Sequence, residues 1–391
     1  MMRQSACSLL LALSVTALGQ TLKVESIKVE SITNPSAAGS VQANLSTHAD
    51  GSPLLSWMEP GKGGTFALRY AVRQGARWSE PRTVEAGRHF FRHPGELPAV
   101  ISLAGGSFLA HWIEMPNEGS EAEFLYVSAS RDGVKWSPPV MAHHDKSQAQ
   151  HGLASMVASG DREASLFWLQ ALKGEDGPAS LMRSVISAEG AEVKEEVLDA
   201  DVCQCCPTAV TRTARGLLVA YRDHTPDDIR DIYVIRSEND RWTSPKNVYA
   251  DKWKLQGCPT NAASVHAKGE KVAVAWFTAE GSKPRVEVAF SGDGGTTFGK
   301  PAVVSTGESY GYASVAVDDT GGAFVSWLER GAGGARVLVR YVSAAGVAGP
   351  VTQVATGTRQ SLGYPRLLPA GKDVWIAWNA AARVQTALII K

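Results

Sequence analysis

The chain of 391 residues carries 39 Lys and Arg against 39 Asp and Glu, so its formal charge near neutral pH is zero. This balance gives no basis for nucleic acid or an anionic membrane as the partner, and we expect a small-molecule or glycan ligand, or a protein surface. Chains of this length often contain two or three domains, but no linker, charge block or low-complexity segment divides the sequence. We therefore expect a monomer with one folded domain, residues 20–391.

Residues 1–19 have the pattern of a secretory signal peptide. Arg3 supplies the positive charge, Leu9 to Leu18 form the apolar core, and Ala17-Leu18-Gly19 offers a small-x-small cleavage site. The apolar core is too short to cross a bilayer, and no later segment approaches the roughly 20 apolar residues that a spanning helix needs. The mature protein is therefore predicted to begin at Gln20 and to be secreted or periplasmic.

An aromatic residue at the end of an apolar, strand-like run recurs every 51 to 56 residues along the rest of the chain. These residues are Trp57, Trp112, Trp168, Tyr221, Trp276, Trp327 and Trp378. A repeat of about 50 residues is typical of propellers and solenoids. The pattern predicts an all-β fold, a β-propeller of about seven four-stranded blades, with six blades as the alternative.

The fifth repeat shows how one blade is built. Four short strand-like segments, Pro259 to Val265, Lys271 to Trp276, Arg285 to Ser291 and Ala302 to Ser305, are separated by turn residues. Short strands at this spacing predict an antiparallel meander.

The last repeat, from Tyr364 to Lys391, supplies only three strands. The alternating segment Leu22 to Ile32 near the N-terminus is the natural fourth strand. Because pairing this segment with the last blade would remove an exposed strand edge, we expect it to close the ring.

A turn motif lies between the third and fourth strands of the fifth repeat, Ser291-Gly-Asp293-Gly294-Gly295-Thr-Thr297-Phe298. Ser130-Arg-Asp132-Gly133-Val-Lys-Trp136 is a copy one residue shorter, and Ser237 to Trp242 is a more degraded copy. The Asp carboxylate can accept backbone N–H groups, glycine permits a positive φ, and the aromatic residue can pack into the blade. The motif is therefore predicted to be structural.

The motif resembles the Asp-box of the sialidase-like, BNR-repeat propeller superfamily, and the sevenfold framework extends this resemblance over nearly all of residues 20–391. The resemblance implies an exported, ligand- or glycan-binding propeller, with exo-α-sialidase-type glycoside hydrolysis as the enzymatic interpretation. Sialidases of this superfamily usually have six blades, whereas seven repeats are present here.

The order of the strands assigns each loop to a face. Loops that precede the first strand of a blade, and loops that join its second and third strands, open on one face, whereas the Asp-box turns open on the other. Every cysteine of residues 20–391 and six of the nine histidines fall on the first face. Because loops from several blades converge there, we predict that this face carries the ligand site.

Four cysteines, Cys203, Cys205, Cys206 and Cys258, are expected to form two disulfides in an exported protein. Cys206 and Cys258 are the most natural pair, because they occupy equivalent positions one repeat apart. The alternative is a soft-metal site built from the four thiolates with a nearby histidine such as His224. Apart from that alternative, no cofactor or metal is expected.

A sialidase-type mechanism needs arginines to bind the substrate carboxylate, a tyrosine nucleophile and an acid. The superfamily resemblance implies Tyr312 or Tyr364 as the nucleophile, since Gly311-Tyr312-Ala-Ser-Val and Gly363-Tyr364-Pro-Arg-Leu are similar to the segment that carries it. It implies Arg92 within Phe91-Arg92-His93-Pro94 as one carboxylate ligand. The further candidates are Arg222, Arg230 and Arg366 for the carboxylate, and Asp223 and Asp231 for the acid.

Three functions therefore remain open from the sequence. They are a sialidase-type glycoside hydrolase, a non-catalytic propeller that binds glycans or a protein, and a metal- or redox-linked propeller that uses the Cys/His-rich face.

Overall fold

The computed structural model describes residues 26–117, 120, 122–171, 178–189, 193–239 and 241–391. Seven antiparallel sheets of four or five strands follow one another along the chain and resemble the blades of a propeller. The described helical segments are single turns, at Lys62–Gly64, Glu280–Ser282 and Arg359–Leu362. The all-β prediction and the count of seven sheets are thus confirmed. No helix in these ranges is long and apolar enough to cross a membrane.

Each sheet is numbered here as a blade, and its strands are numbered in chain order. Blades 1 to 3 contain β2 (Val41–Thr47), β3 (Pro53–Pro60), β4 (Phe66–Gln74), β5 (Arg77–Trp78), β6 (Arg82–Ala86); β7 (Ala99–Ser102), β8 (Phe108–Glu114), β9 (Phe124–Ser130), β10 (Val140–Met141); β11 (His151–Ala158), β12 (Glu163–Ala171), β13 (Ala179–Ser187) and β14 (Val193–Val202). Blades 4 and 5 contain β15 (Ala209–Arg212), β16 (Leu217–Arg222), β17 (Ile232–Glu238), β18 (Arg241–Trp242), β19 (Lys246–Asn247); β20 (Ser264–Lys268), β21 (Lys271–Thr278), β22 (Arg285–Ser291) and β23 (Ala302–Val303). Blades 6 and 7 contain β24 (Ser309–Val317), β25 (Ala323–Gly331), β26 (Gly334–Val342), β27 (Thr352–Gly357); β28 (Arg366–Ala370), β29 (Asp373–Trp378), β30 (Gln385–Ile390) and β1 (Lys28–Ile32).

The N-terminal strand belongs to the last blade. Strand β1 pairs antiparallel with β30, from Lys28 opposite Ile390 to Ile32 opposite Thr386. The pairing predicted for the segment Leu22 to Ile32 is therefore found for its second half, while residues 22–25 and the predicted leader at 1–19 lie outside the described residues. Strand β30 gains a partner on the edge that it would otherwise expose.

The seven repeated aromatic residues all lie in the second strand of their blade and are at most 6 % exposed. Each packs against the preceding blade, so that Trp168 shares a core cluster with Ile101 and Leu125 of blade 2. Trp57 of blade 1 likewise shares a cluster with Trp375 of blade 7. The repeat therefore reflects one buried aromatic side chain at each junction between blades.

The Asp-box has the structural role that its sequence predicts. Asp293 Oδ1 accepts hydrogen bonds from Ser291 Oγ at 2.7 Å and from the backbone N–H of Thr297 at 2.9 Å. Gly295 has a φ of 83°, and a Cβ atom there would lie 2.1 Å from Leu218 Cδ1. In the shorter copy, Asp132 Oδ1 accepts from two backbone N–H groups at 2.8 and 2.9 Å. The degraded copy includes residue 240, which lies outside the described residues.

The first strand of blade 5 differs from the prediction. The segment Pro259 to Val265 was expected to be extended, but β20 begins only at Ser264. The residues before it are held by side-chain bonds instead of a strand ladder, because Asn261 Oδ1 accepts the backbone N–H of Tyr312 at 2.8 Å. The loop that contains Cys258 is therefore longer than the sequence pattern indicated.

Candidate functional site: the cysteine corner

The four cysteines of residues 20–391 come together from the loops that precede blades 4 and 5, in a cluster that we call the cysteine corner. Cys203, Cys205 and Cys206 lie in the turn between β14 and β15, and Cys258 lies in the loop that precedes β20. Cys203 and Cys206 are buried, whereas Cys258 is exposed. Antiparallel strand order places both loops on the face opposite the Asp-boxes, as predicted.

The sulfur atoms are close but not bonded. Cys203 Sγ lies 3.8 Å from Cys205 Sγ and 3.9 Å from Cys206 Sγ, well beyond the S–S bond length of about 2.05 Å. All three Sγ atoms lie within 4.8 Å of one another, a spacing at which they could hold a metal ion. Cys258 contributes a hydrogen bond with the Cys205 side chain. The predicted disulfides, including Cys206 with Cys258, are therefore not formed in this structure.

Arg222 holds the turn that contains Cys203. Arg222 is buried and donates to the carbonyl oxygens of Phe277 at 2.8 Å and Arg230 at 2.5 Å, and its guanidinium packs over Trp253. Its own carbonyl accepts the Cys203 N–H at 3.1 Å. These hydrogen bonds hold the turn, and within the described residues the Nε atom of Arg222 has no partner.

The sulfur atoms also receive hydrogen bonds. Arg230 Nη1 donates to Cys203 Sγ at 3.1 Å, and the backbone N–H of Asn261 donates to Cys206 Sγ at 3.3 Å. Hydrogen bonds from the Cys205 and Cys206 thiols, with the charge of Arg222, lower the pKa of Cys203 well below its usual range. Burial raises the pKa of Cys206 to about 12. The corner therefore favours a thiolate at Cys203.

The two predicted nucleophiles lie together but lack an activating carboxylate. The ring centroids of Tyr312 and Tyr364 are 4.1 Å apart. Tyr312 Oη accepts from Arg359 Nε at 2.9 Å, and Tyr364 Oη donates to the carbonyl oxygen of Thr260 at 2.8 Å. Burial raises the pKa of Tyr364 well above its usual value. Within the described residues, no Asp or Glu hydrogen-bonds to either hydroxyl, so neither tyrosine has the partner that a nucleophile needs.

The predicted carboxylate-binding arginines do not share one task. Arg222 and Arg230 both serve the cysteine corner, whereas the Arg92 guanidinium packs 3.9 Å from the ring centroid of Phe66 in blade 1. Arg366 lines a cavity whose wall is formed mostly by the first strands of six blades. The structure thus brings two of the four together at the cysteine corner, where they donate to backbone carbonyls and to Cys203 Sγ.

The predicted acids have different environments. Asp231 is buried and accepts the backbone N–H groups of Lys252 at 3.0 Å and Trp253 at 3.1 Å, which makes it an anchor for that loop. Burial and the charge of Asp199 raise the pKa of Asp223 to about 7. Asp199 in turn accepts a hydrogen bond from Tyr221 Oη at 2.6 Å. His224 lies beside this group, with Nδ1 3.1 Å from an Asp201 carboxylate oxygen.

A carboxyl pair that the sequence analysis missed lies on the same face. Glu96 is buried and accepts the Leu153 N–H at 2.7 Å. A side-chain carbon on Gly152 would lie 2.5 Å from Glu96 Oε1 and 2.9 Å from Glu123 Oε2, so both carboxyls converge on this glycine. Burial raises the pKa of both groups, that of Glu123 to about 7. No motif marks the pair, because its members come from two separate loops, one before β7 and one before β9.

No curated protein matches the chain. Among solved structures, a protein of unknown function from Dyadobacter fermentans has a TM-score of 0.51 at 14% identity, covering 94% of this chain and 100% of its own. The polysaccharide lyase Uly1 has a TM-score of 0.54 at 10% identity, covering 95% and 94%. The GH93 α-L-arabinofuranosidase of Fusarium graminearum has a TM-score of 0.50 at 15% identity, covering 93% and 97%.

At these identities the solved structures show a shared fold only. The family model of the BNR repeat-like domain matches residues 66–325, about two thirds of the sequence. With its Asp-box turns and seven blade-like sheets, the chain belongs to the BNR repeat-like domain family, whose resemblance to sialidase propellers the sequence motifs had indicated.

Proposed function

We propose that this protein is a metal-binding propeller whose cysteine corner holds one thiophilic cation, Cu(I) or Zn(II). The observation that carries the proposal is the spacing of the sulfurs. A tetrahedral ion with metal–sulfur bonds of about 2.3 Å separates its thiolate ligands by about 3.8 Å. The 3.8 and 3.9 Å separations from Cys203 match that value, and all three sulfurs lie within 4.8 Å of one another.

Charge supports the same function. Three thiolates with one Cu(I) would carry a net charge of −2, and a fully solvent-excluded site with that charge would be unstable unless it were balanced. Arg222 and Arg230 supply two positive charges at this place, and the Asn261 N–H adds a hydrogen bond to Cys206. Soft thiolate ligands select Cu(I) and Zn(II) over hard cations such as Mg²⁺ or Ca²⁺.

Cys258 distinguishes the two ions. Three sulfurs complete a trigonal Cu(I) site, whereas structural Zn(II) takes four ligands. Cys258 comes from the adjacent blade, is exposed and interacts with Cys205, so it is the available fourth sulfur. His224 is not included as a ligand, because both of its ring nitrogens face carboxylates, those of Asp201 and Asp228.

The test is a metal titration of the reduced protein with Cu(I) and with Zn(II), each against a competing chromophoric chelator. We expect one equivalent to bind and to protect the corner from alkylation. Cys203→Ser and Cys206→Ser should abolish binding of both ions, whereas Cys258→Ser should weaken Zn(II) more than Cu(I). His224→Gln is the matched control and should bind as the unmodified protein does. Full alkylation in the presence of metal, or two disulfides in the protein as isolated, would refute the proposal.

Glycan hydrolysis is the second candidate function, and the Glu96–Glu123 pair is the observation that favours it. Two nearby carboxyls with raised pKa values have the character of an acid–base pair in glycosidases. The sialidase-type set built on Tyr312 or Tyr364 is not proposed, since neither hydroxyl has a carboxylate partner. Turnover of a fluorogenic arabinofuranoside or sialoside, lost in Glu123→Gln and kept in Tyr312→Phe, would support this candidate. Absence of turnover across such substrates would dismiss it.

We propose that the protein is exported to the periplasm or secreted, that it is a monomer, and that the β1–β30 pairing closes the seven blades into one ring. Mass spectrometry of the protein from its native host would show a mature N-terminus at Gln20 if the leader is cleaved. A chain that retains residues 1–19 would contradict export by this route.

A further inference from the structure

A cavity of about 340 Å³ runs along the propeller axis, and we call it the axial cavity. The first strands of six blades form most of its wall, and a few loop residues complete it. Its volume is at the lower end of the range for small-ligand sites, about 300 to 1,000 Å³. Pro207 and Thr208, which follow the cysteine corner, contribute to one part of the wall.

The charge of this cavity has one sign. The side chains in its wall that can carry a positive charge are Arg212, Arg366, His111 and His266, and none of the described wall residues is an Asp or a Glu. Hydroxyl groups of serines and threonines, with the side chains of Asn44 and Tyr364, are its other polar side chains. A small anion would therefore meet attraction without opposing carboxylates.

Arg366 has no counter-ion. Within the described residues its side chain forms no ion pair and no hydrogen bond, and its Nε atom is buried without a partner. Arg212, in contrast, donates to the carbonyl oxygen of Ala158 at 2.6 Å. A guanidinium below the surface is normally paired, since its desolvation is unfavourable. The missing partner of Arg366 is the feature that a bound anion would explain.

His111 is a second buried side chain in the cavity wall whose polar atoms lack partners. It is only 2 % exposed, and neither of its ring nitrogens has a hydrogen-bond partner in the described part of the chain. Burial lowers its pKa to about 4, so near pH 7 it is neutral and has one N–H to donate. His266 Nδ1 accepts the Val317 N–H at 3.1 Å, which leaves the proton of its neutral ring on Nε2. Two imidazole N–H donors therefore accompany the guanidinium.

We propose that the axial cavity binds a small oxyanion, a carboxylate or a phosphate, with Arg366 as the charged ligand and His111 as a neutral donor. The planar guanidinium presents parallel N–H groups that match two oxygens of either group. This site uses none of the residues proposed for metal binding, so the two proposals stand or fall separately.

The test is calorimetric titration and thermal unfolding of the full chain with sodium acetate and with sodium phosphate, at constant ionic strength maintained by sodium chloride. We expect one of the two anions to bind and to raise the unfolding temperature. Arg366→Gln should weaken that binding by about tenfold or more, the effect of losing hydrogen bonds to a charged group. Arg366→Lys should retain part of it. Arg162→Gln is the matched control, because Arg162 pairs with Glu189 on the exposed surface.

The two anions identify the ligand class, since the tighter one indicates a carboxylate or a phosphate site. Without added anion, Arg366→Gln should unfold at a higher temperature than the unmodified protein, because an unpaired cation is removed. Equal responses to acetate, phosphate and chloride would overturn the proposal, as would an Arg366→Gln variant that binds as tightly as the unmodified protein. If Arg366→Gln fails to fold, Arg366→Lys and His111→Phe decide, and unchanged binding in both contradicts the proposal.

Discussion

The Asp-box turns and the cysteine corner lie at opposite ends of the blades and are held together in opposite ways. In the turn at Ser291 to Phe298, Asp293 accepts hydrogen bonds from Ser291 and Thr297, which lie within four residues of it in the sequence. In the corner, Cys203 Sγ accepts a hydrogen bond from Arg230, and Cys206 Sγ accepts one from the backbone N–H of Asn261 in the loop before the next blade. Local bonds can be encoded in a short motif, whereas a site built across blades depends on the whole fold. Disturbing the corner should therefore affect stability and metal together, while disturbing a turn should affect stability alone.

Arg222→Met should give the largest effect. Because the buried guanidinium donates hydrogen bonds to the carbonyl oxygens of Arg230 and of Phe277 in β21, its loss should lower the free energy of unfolding by about 3 kcal/mol or more. Metal binding should fall as well, since Arg222 also fixes the Cys203 turn. Urea unfolding and the chelator titration measure the two effects. A destabilised variant with unchanged metal affinity would show that the corner does not depend on this arginine.

Gly295→Ala should have the second-largest effect on stability. The added Cβ would lie 2.1 Å from Leu218 Cδ1, and the φ of 83° disfavours a side chain. We expect a loss of about 2 kcal/mol in the free energy of unfolding. Metal affinity should remain unchanged, because the turn lies on the opposite face. Gly292→Ala provides the control, since a Cβ there has no neighbour within 4 Å.

Asp293→Asn should have the smallest effect, about 1 kcal/mol, through weaker bonds in the turn. Burial acts to raise the pKa of Asp293, but hydrogen bonds from Thr297 and Ser291 outweigh it and lower the pKa. A lowered folded-state pKa means that the contribution is present above the pKa of the unfolded state, about 4, and is lost as the pH falls through the folded value. The difference in stability between the variant and the unmodified protein should therefore narrow below pH 4. An unchanged difference at pH 3 would show that the carboxylate charge is not responsible.

Several residues show how far prediction from sequence could reach. The repeated Trp residues were identified because each blade must bury one large apolar side chain against its neighbour, and the period survives variation elsewhere. The strand Lys28–Ile32 was identified because its alternation matches a half-buried strand and the last blade lacked a partner. Such signals are local or periodic, so they can be read without coordinates.

The candidate site residues show what could not be predicted from the sequence. The four cysteines were assigned to one face, but oxidation was expected where the structure has sulfurs 3.8 Å apart in a cluster. Tyr312 and Tyr364 were selected from the segments that surround them, yet only the structure shows that their hydroxyls meet Arg359 and the carbonyl of Thr260. Distances between loops of different blades depend on the summed geometry of many residues, which no motif records.

The sequence by itself determined the blade count, the Asp-box turns and the face on which each loop lies, because periodicity and turn chemistry act over a few residues. The tertiary structure alone decided which polar groups meet. It placed Arg222 and Arg230 against the cysteines, brought Glu96 towards Glu123 and left Arg366 without a partner. The physical reason is that hydrogen bonds and charges act at short range, and residues from different blades come within that range only after the sheets have packed.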